Sequence, residues 1–168
     1  MVTAAIPQRK SRPWSRKRSF RYVLIHSQWR GHTANPAGNV HGGVIMNLID
    51  SVAGVVAIRH CRTNVVTASI DRLDLLRPIF IGDLVTFRAS MNMVGRTSME
   101  IGVRVEAENL RTGEVRKVAA AYLTYVALGP DGRPTKVPPL ILETEDELRR
   151  NKEAKARREA RLKFKEKL

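Results

Sequence analysis

The chain has 168 residues, 43% of them hydrophobic, with one cysteine and a formal net charge of +14 at pH 7. That length suits one domain with a real core rather than two. No run of about 18 apolar residues stands out, so no membrane span is expected, and Cys61 lacks a partner for a disulfide or a C-x-x-C zinc site, which fits a buried thiol in a reducing compartment.

The charge is uneven: residues 1–30 carry eight Arg or Lys and no acid, residues 31–142 twelve basic and nine acidic, and residues 143–168 ten basic and seven acidic. Residues 1–18, with "PQRKSRPWSRKR" (Pro7 to Arg18), combine prolines and cations with little apolar content and read as a flexible basic arm. Such an arm is a solvated tail, a contact for nucleic acid or an anionic surface, or an acid-free transit peptide. No apolar h-region follows Met1, which argues against secretion.

"SFRYVLIHSQ" (Ser19 to Gln28) has the bias of a strand and breaks into the turn-rich "WRGHTANPAGN". After Gly42 and Gly43, "VIMNLIDSVAGVVAIRH" holds no proline and is apolar nearly all round, the pattern of a buried helix. Its exceptions, Gly43, Asn47, Asp50 and Gly54, recur at three and four residues and share one face.

Four strands are expected next, as an antiparallel meander: Asn64 to Leu76, Asp83 to Val94, Thr97 to Asn109 and Glu114 to Leu128. Gly95 and Arg96 form a short hairpin link, and Thr112-Gly113 the next turn. The order is α+β, with a sheet able to wrap around the helix. A domain over residues 19–140 leaves through the Pro- and Gly-rich "GPDGRPTKVPPL", and residues 141–168 form a charged helix from about Thr144. Its apolar positions are sparse, chiefly Leu148, Leu162 and Phe164, so it reads as a solvated helix packing weakly on a neighbour.

Nucleophile elbow, P-loop, H-E-x-x-H and G-x-G-x-x-G motifs are all missing, and the four histidines show no metal-ligand spacing. Asp71 and Asp74, three apart on a strand, face opposite ways and do not form a catalytic pair.

That leaves Asp50. A carboxylate inside an apolar helix must be protonated, paired or placed in a polar cavity, and no Lys or Arg stands three or four residues away. It suits a base or nucleophile in a dry pocket, against the plainer reading of an acid that reaches solvent or a partner chain. Gly42 and Gly43, at a helix start, present N–H groups to a carbonyl oxygen or oxyanion, and the Asn35 amide adds a donor in the loop before them. Gly42 and Asp50 are eight residues apart, roughly 12 Å along a helix. One chain holds them too far apart for one reacting centre, so a homodimer with antiparallel helices is expected to bring Gly42 of one copy to Asp50 of the other.

"NPAGNVHGGVIMNLID", "AIRH", "TASID", "RPIFIGD" and "VGRTSMEIGVRVEAE" together closely resemble the hotdog-fold acyl-CoA thioesterases of the cytosolic acyl-CoA hydrolase and YciA group, over about Arg21 to Leu140. The resemblance implies a single hotdog domain in which a five-stranded antiparallel sheet wraps a long central helix. It also implies hydrolysis of fatty acyl-CoA to fatty acid and CoA, in dimers often assembled as hexamers. On this basis Asp50 is the helix acid, acting as general base or as nucleophile, Asn35 the loop amide, and the Gly42-Gly43 pair the source of the thioester-polarising N–H. Arg96, Thr97 and Ser98 fall where relatives hold CoA. No metal and no cofactor are implied, CoA being part of the substrate.

The resemblance implies a cytoplasmic location, or a mitochondrial one if the arm is a transit peptide. Two rival readings are a non-catalytic acyl-CoA-binding module and a nucleic-acid-binding protein that uses its basic arm. The departures are the long arm, the "SQWRGH" lead-in, and His41, where relatives often have Phe and where a packing role is expected.

Overall fold

The computed structural model describes Lys17–Arg18, Arg21–His26 and residues 33–165. Residues 1–16, 19–20, 27–32 and 166–168 lie outside them, and with them most of the basic arm and the "SQWRGH" lead-in. Strands β1 (Lys17–Arg18) and β2 (Arg21–His26) precede helix α1 (Gly42–Cys61). Strands β3 (Asn64–Leu75), β4 (Leu84–Val94), β5 (Ser98–Glu108) and β6 (Val115–Leu128) follow, then β7 (Leu140–Ile141) and helix α2 (Glu145–Lys165).

Both glycines belong to α1. His41 is its N-cap, in extended conformation, and its Nδ1 accepts from the Gly43 N–H at 3.2 Å. His41 is therefore an exposed cap rather than a packing residue. At the other end Arg62 adopts φ 60°, and its N–H donates to Ile58 O at 2.7 Å. Against the expectation of no membrane span, the helix is long and apolar enough to cross a membrane by length and composition. It is nonetheless the core helix of the sheet, with Ile45, Ile49, Val52, Ala53, Val56 and Ala57 buried.

Burial is on one side only. A single sheet curls around half of the helix, so Met46 (42%) and Ile58 (46%) stay exposed, with Gly43 and Asn47 beside them. The expectation of burial nearly all round does not hold within one chain.

The main sheet is five-stranded and antiparallel, in the order β2-β4-β5-β6-β3. The four-strand meander is thus a three-strand one, β4-β5-β6. Strand β3 pairs with β6 at the far edge, and β4 takes β2 as its other neighbour. The connection after β3 is long enough to make that crossing, and it is tied to the loop before α1, where the Val40 N–H donates to Ile79 O at 2.8 Å. Alternation sets the inner face: Met99, Ile101, Val103, Val105 and Ala107 of β5 are buried, as are Ala119, Ala121, Leu123, Tyr125 and Ala127 of β6. Of the alanine run, a poor strand former, Ala119 and Ala121 face the core as small residues and Ala120 faces the other way; α1 packs against this strand.

Helix α2 starts with a capping box: the Glu147 N–H donates to Thr144 Oγ1 at 3.3 Å, and Glu147 Oε2 accepts from the N–H groups of Glu143 and Thr144. It is more than a weakly packed solvated helix. Asn151 Nδ2 donates to Asn92 O at 2.8 Å, Ala154 is fully buried, Arg157 pairs with buried Glu100, and Arg161 bonds Asp71 and Thr124. The expected apolar positions, Leu148, Leu162 and Phe164, are the exposed ones. Lys17 and Arg18, expected in the arm, pair in parallel with Leu140 and Ile141.

Candidate active site

Asp50 stands at the boundary between the buried and open faces of α1. Strand β3 runs beside it at the sheet edge, and Thr67 and Tyr125 are cross-strand partners in the β3-β6 ladder. Their side chains converge on one carboxylate oxygen: Thr67 Oγ1 and the Tyr125 hydroxyl each donate to Asp50 Oδ1 at 2.7 Å. The same tyrosine hydroxyl also lies 2.7 Å from Asp50 O. A register shift in β3 follows Thr67 directly, so the strand bends where it meets the acid. Among the described residues Oδ2 has no hydrogen-bond partner. Burial pushes the Tyr125 hydroxyl well above the ordinary tyrosine value, its bond to Asp50 pushes the same way, and Thr67 opposes. Tyr125 therefore remains a donor at any ordinary pH.

The loop before α1 is built around Asn35. Its Oδ1 accepts from the N–H groups of Ala37 (3.0 Å) and Asn39 (3.1 Å), while its backbone N–H donates to Asn39 O at 2.7 Å. The side-chain NH2 is left without a partner among the described residues. Of the two glycines expected to polarise a carbonyl, only Gly42 keeps an N–H uncommitted among the described residues, since His41 takes that of Gly43. A Cβ at Gly42 would come 2.8 Å from Leu75 Cδ1, so a side chain there displaces Leu75.

Arg96, Thr97 and Ser98 lie at the β4-β5 hairpin. Backbone bonds fix it: Arg96 O accepts from Val137 N and Thr97 O from Ala127 N, each at 2.9 Å. Arg96 lines a cleft of about 710 Å³ with Lys136, Lys155 and Asn151. Asp50, Asn35 and Gly42 do not line it, so within one chain the hairpin and the acid are separate. Asp71 bonds Arg161, Thr124 and Ser69, and Asp74 pairs with Arg72, which leaves neither free for catalysis. No group of three or more His, Cys, Asp or Glu among the described residues is arranged to hold a metal.

The model of the family described as "Thioesterase superfamily" matches residues 37–114. Protein VdlD of Helicobacter pylori is 42% identical over 129 residues, which cover 77% of this chain and 74% of that one. The chain belongs to the thioesterase superfamily. A second relative in this superfamily, the cytosolic acyl coenzyme A thioester hydrolase of Rattus norvegicus, is 45% identical over 122 residues; these are 71% of this chain but 32% of the relative, so the chain spans about a third of its length.

Among solved thioesterases, a hexameric acyl-CoA thioesterase in its apo form superposes with TM-score 0.82 at 36% identity, covering 86% of this chain and 92% of that one. The acyl-CoA hydrolase of Staphylococcus aureus, solved with butyryl coenzyme A, coenzyme A and coenzyme A disulfide, superposes with TM-score 0.80 at 31% identity, covering 88% and 89%. It has also been solved with alanine replacing an asparagine, an aspartate and a threonine in turn.

Sequence reasoning missed Thr67 and Tyr125. The signal for Tyr125 was present: on the inward phase of β6 its hydroxyl had to find an acceptor in the core. Thr67 had no such signal, because only the β3-β6 register brings it to Asp50.

Proposed function

We propose that the protein is an acyl-CoA thioesterase that hydrolyses fatty acyl-CoA to free fatty acid and CoA. The observation that carries this reading is the Asp50 carboxylate, held through Oδ1 by two hydroxyls with Oδ2 left open. Support comes from the substituted positions of the Staphylococcus aureus hydrolase, which are 15 and 17 residues apart in chain order, asparagine to aspartate to threonine. Asn35, Asp50 and Thr67 have the same order and the same spacings of 15 and 17.

In the general-base route, Asp50 Oδ2 takes a proton from water and the resulting hydroxide attacks the thioester carbon. The Gly42 N–H and the Asn35 amide donate to the oxyanion, the C–S bond breaks, and the thiolate of CoA recovers the proton. In the nucleophilic route the carboxylate itself attacks, CoA leaves, and water hydrolyses the mixed anhydride. Both use the same open oxygen. Gly42 and Asp50 are too far apart along α1 to serve one thioester, so the reading includes a homodimer in which the partner's Gly42 faces Asp50, with hexamers built from such dimers. A hexameric neighbour and the exposed face of α1 support it. Arg96, Lys136 and Lys155 suit the phosphates of CoA, with Thr97 and Ser98 beside them on the hairpin. A relative named cytosolic supports a cytoplasmic location.

The test is thiol release from a panel of acyl-CoAs of differing chain length. The wild type should hydrolyse at least one, and Asp50→Ala should lose about 10²- to 10⁴-fold in kcat. Unchanged hydrolysis in Asp50→Ala sinks the mechanism, absence of release from every acyl-CoA makes the protein a binding module, and a monomer in solution contradicts the shared site.

A further inference from the structure

Tyr125 has no part in either route above, yet it makes the most specific contact in the site. Only 2% of it is exposed, on a β6 row otherwise filled by Ala119, Ala121, Leu123 and Ala127, so its hydroxyl needs an acceptor in the core. Both acceptors it finds belong to one residue: Asp50 O and Asp50 Oδ1, each at 2.7 Å. One hydroxyl within reach of both atoms, its single proton shared between them, ties the carboxylate to the residue's own main chain and restricts the torsions of the Asp50 side chain. Of the carboxylate oxygens Thr67 reaches Oδ1, and it does so from an edge strand while also contacting the Tyr125 hydroxyl, so it leaves the main-chain anchor of Asp50 to the tyrosine.

The helix accommodates the ring. Gly54, one turn beyond Asp50, presents bare backbone to it: a Cβ there would lie 3.8 Å from Tyr125 Cε1 and 3.9 Å from its hydroxyl. Acid and glycine thus share one helix face, four residues apart, beside the ring that crosses from β6. The raised titration of Tyr125 keeps the proton on its oxygen wherever the protein is assayed.

We propose that Tyr125 is a positioning residue for the hydrolysis inferred above: its one hydroxyl grips the main chain and one carboxylate oxygen of Asp50 and fixes the rotamer in which Oδ2 faces the reactants. The inference rests on the thioesterase reading, and Tyr125 itself touches no reacting atom.

The experiment is steady-state kinetics of Tyr125→Phe, which keeps the ring and removes only the hydroxyl, on an acyl-CoA that the wild type hydrolyses. Measurements are made below the variant's own thermal transition. The expected result is a loss of roughly 10- to 100-fold in kcat, the scale of one hydrogen bond to a charged group, with KM held within about twofold. Because Tyr125 acts through Asp50, Asp50→Asn with Tyr125→Phe should be no slower than Asp50→Asn alone. Wild-type kcat in Tyr125→Phe overturns the proposal, and so does a KM rise with kcat unchanged. A further fall in the double variant shows that Tyr125 acts independently of Asp50 and overturns it too. A wild type that hydrolyses no acyl-CoA overturns the thioesterase reading and this inference together, whereas the other outcomes leave that reading standing.

Discussion

Helix α2 is locked to the outer face of the sheet by charge, and replacing Arg157 with alanine tests that lock. Glu100 is 1% exposed; its Oε1 accepts from Arg157 Nη2 at 2.7 Å and from Asn92 Nδ2 at 3.2 Å, and its Oε2 from Arg157 Nε at 3.3 Å. The guanidinium also lies over the Tyr122 ring, 3.7 Å from its centroid. Removing it leaves a buried carboxylate with one amide donor, a change worth about 3–5 kcal/mol. The Arg157 side chain is 23% exposed, so water partly replaces it and the lower end applies, about 3 kcal/mol.

For a chain of this size about 2–4 °C accompany each kcal/mol, so the thermal midpoint should fall by roughly 6–12 °C. Circular dichroism at fixed protein concentration is the assay, since association itself raises the midpoint. Replacing both partners, Glu100→Gln with Arg157→Met, should recover most of the loss, because the cost lies in the unpaired acid rather than in losing the pair. A loss below about 1 kcal/mol in Arg157→Ala, the scale of an exposed ion pair, refutes the lock.

The capping box gives a pH dependence of known sign. The Glu143 N–H, and after it that of Thr144, hold the Glu147 carboxyl below its ordinary value of 4.5 against a burial effect that opposes them. A folded-state value below the unfolded one contributes stability that is complete above about pH 4.5 and is lost as pH falls below it. The thermal midpoint of Glu147→Gln should therefore converge on that of the wild type in acid, and parallel curves would contradict the cap. On edge strand β3, Val66 is 44% exposed; Val66→Asp should shift the protein toward monomer in light scattering and abolish hydrolysis although it removes no site residue. Full activity in a monomeric Val66→Asp would refute the two-chain site.

What the sequence made legible was what neighbouring residues decide. Helix α1 follows from an apolar run behind two glycines, the strands from alternation, and Asp50 from the cost of a carboxylate in such a run. Strand order was not legible, because β3 is separated from its partner β6 by two further strands. The docking of α2 was missed for a different reason. Its contact stripe, Asn151, Ala154, Arg157 and Arg161, has helical spacing but is polar at every position except Ala154. A search for apolar periodicity passes over it and finds Leu148, Leu162 and Phe164, which face solvent. A packing role was expected of His41 because relatives often have Phe there, whereas its ring nitrogen serves as a cap.

The proposed pairing of two chains also bears on how the fold tolerates Asp50. A carboxylate pointed into the sheet would cost several kcal/mol, a large share of the margin by which a domain is stable. Asp50 avoids that cost by standing half-buried, with two hydroxyls on Oδ1 and Oδ2 without a partner among the described residues. Met46 and Asn47, within one turn of Asp50, are exposed. If the partner's helix covers this stretch, Oδ2 loses water only on association, and the same step delivers the partner's Gly42 N–H to the reacting centre. The desolvation that makes the carboxylate reactive then comes from dimer formation rather than from folding. On this proposal a monomer holds the acid without a large penalty, and the assembled pair would enclose it in a site dry enough for thioester chemistry.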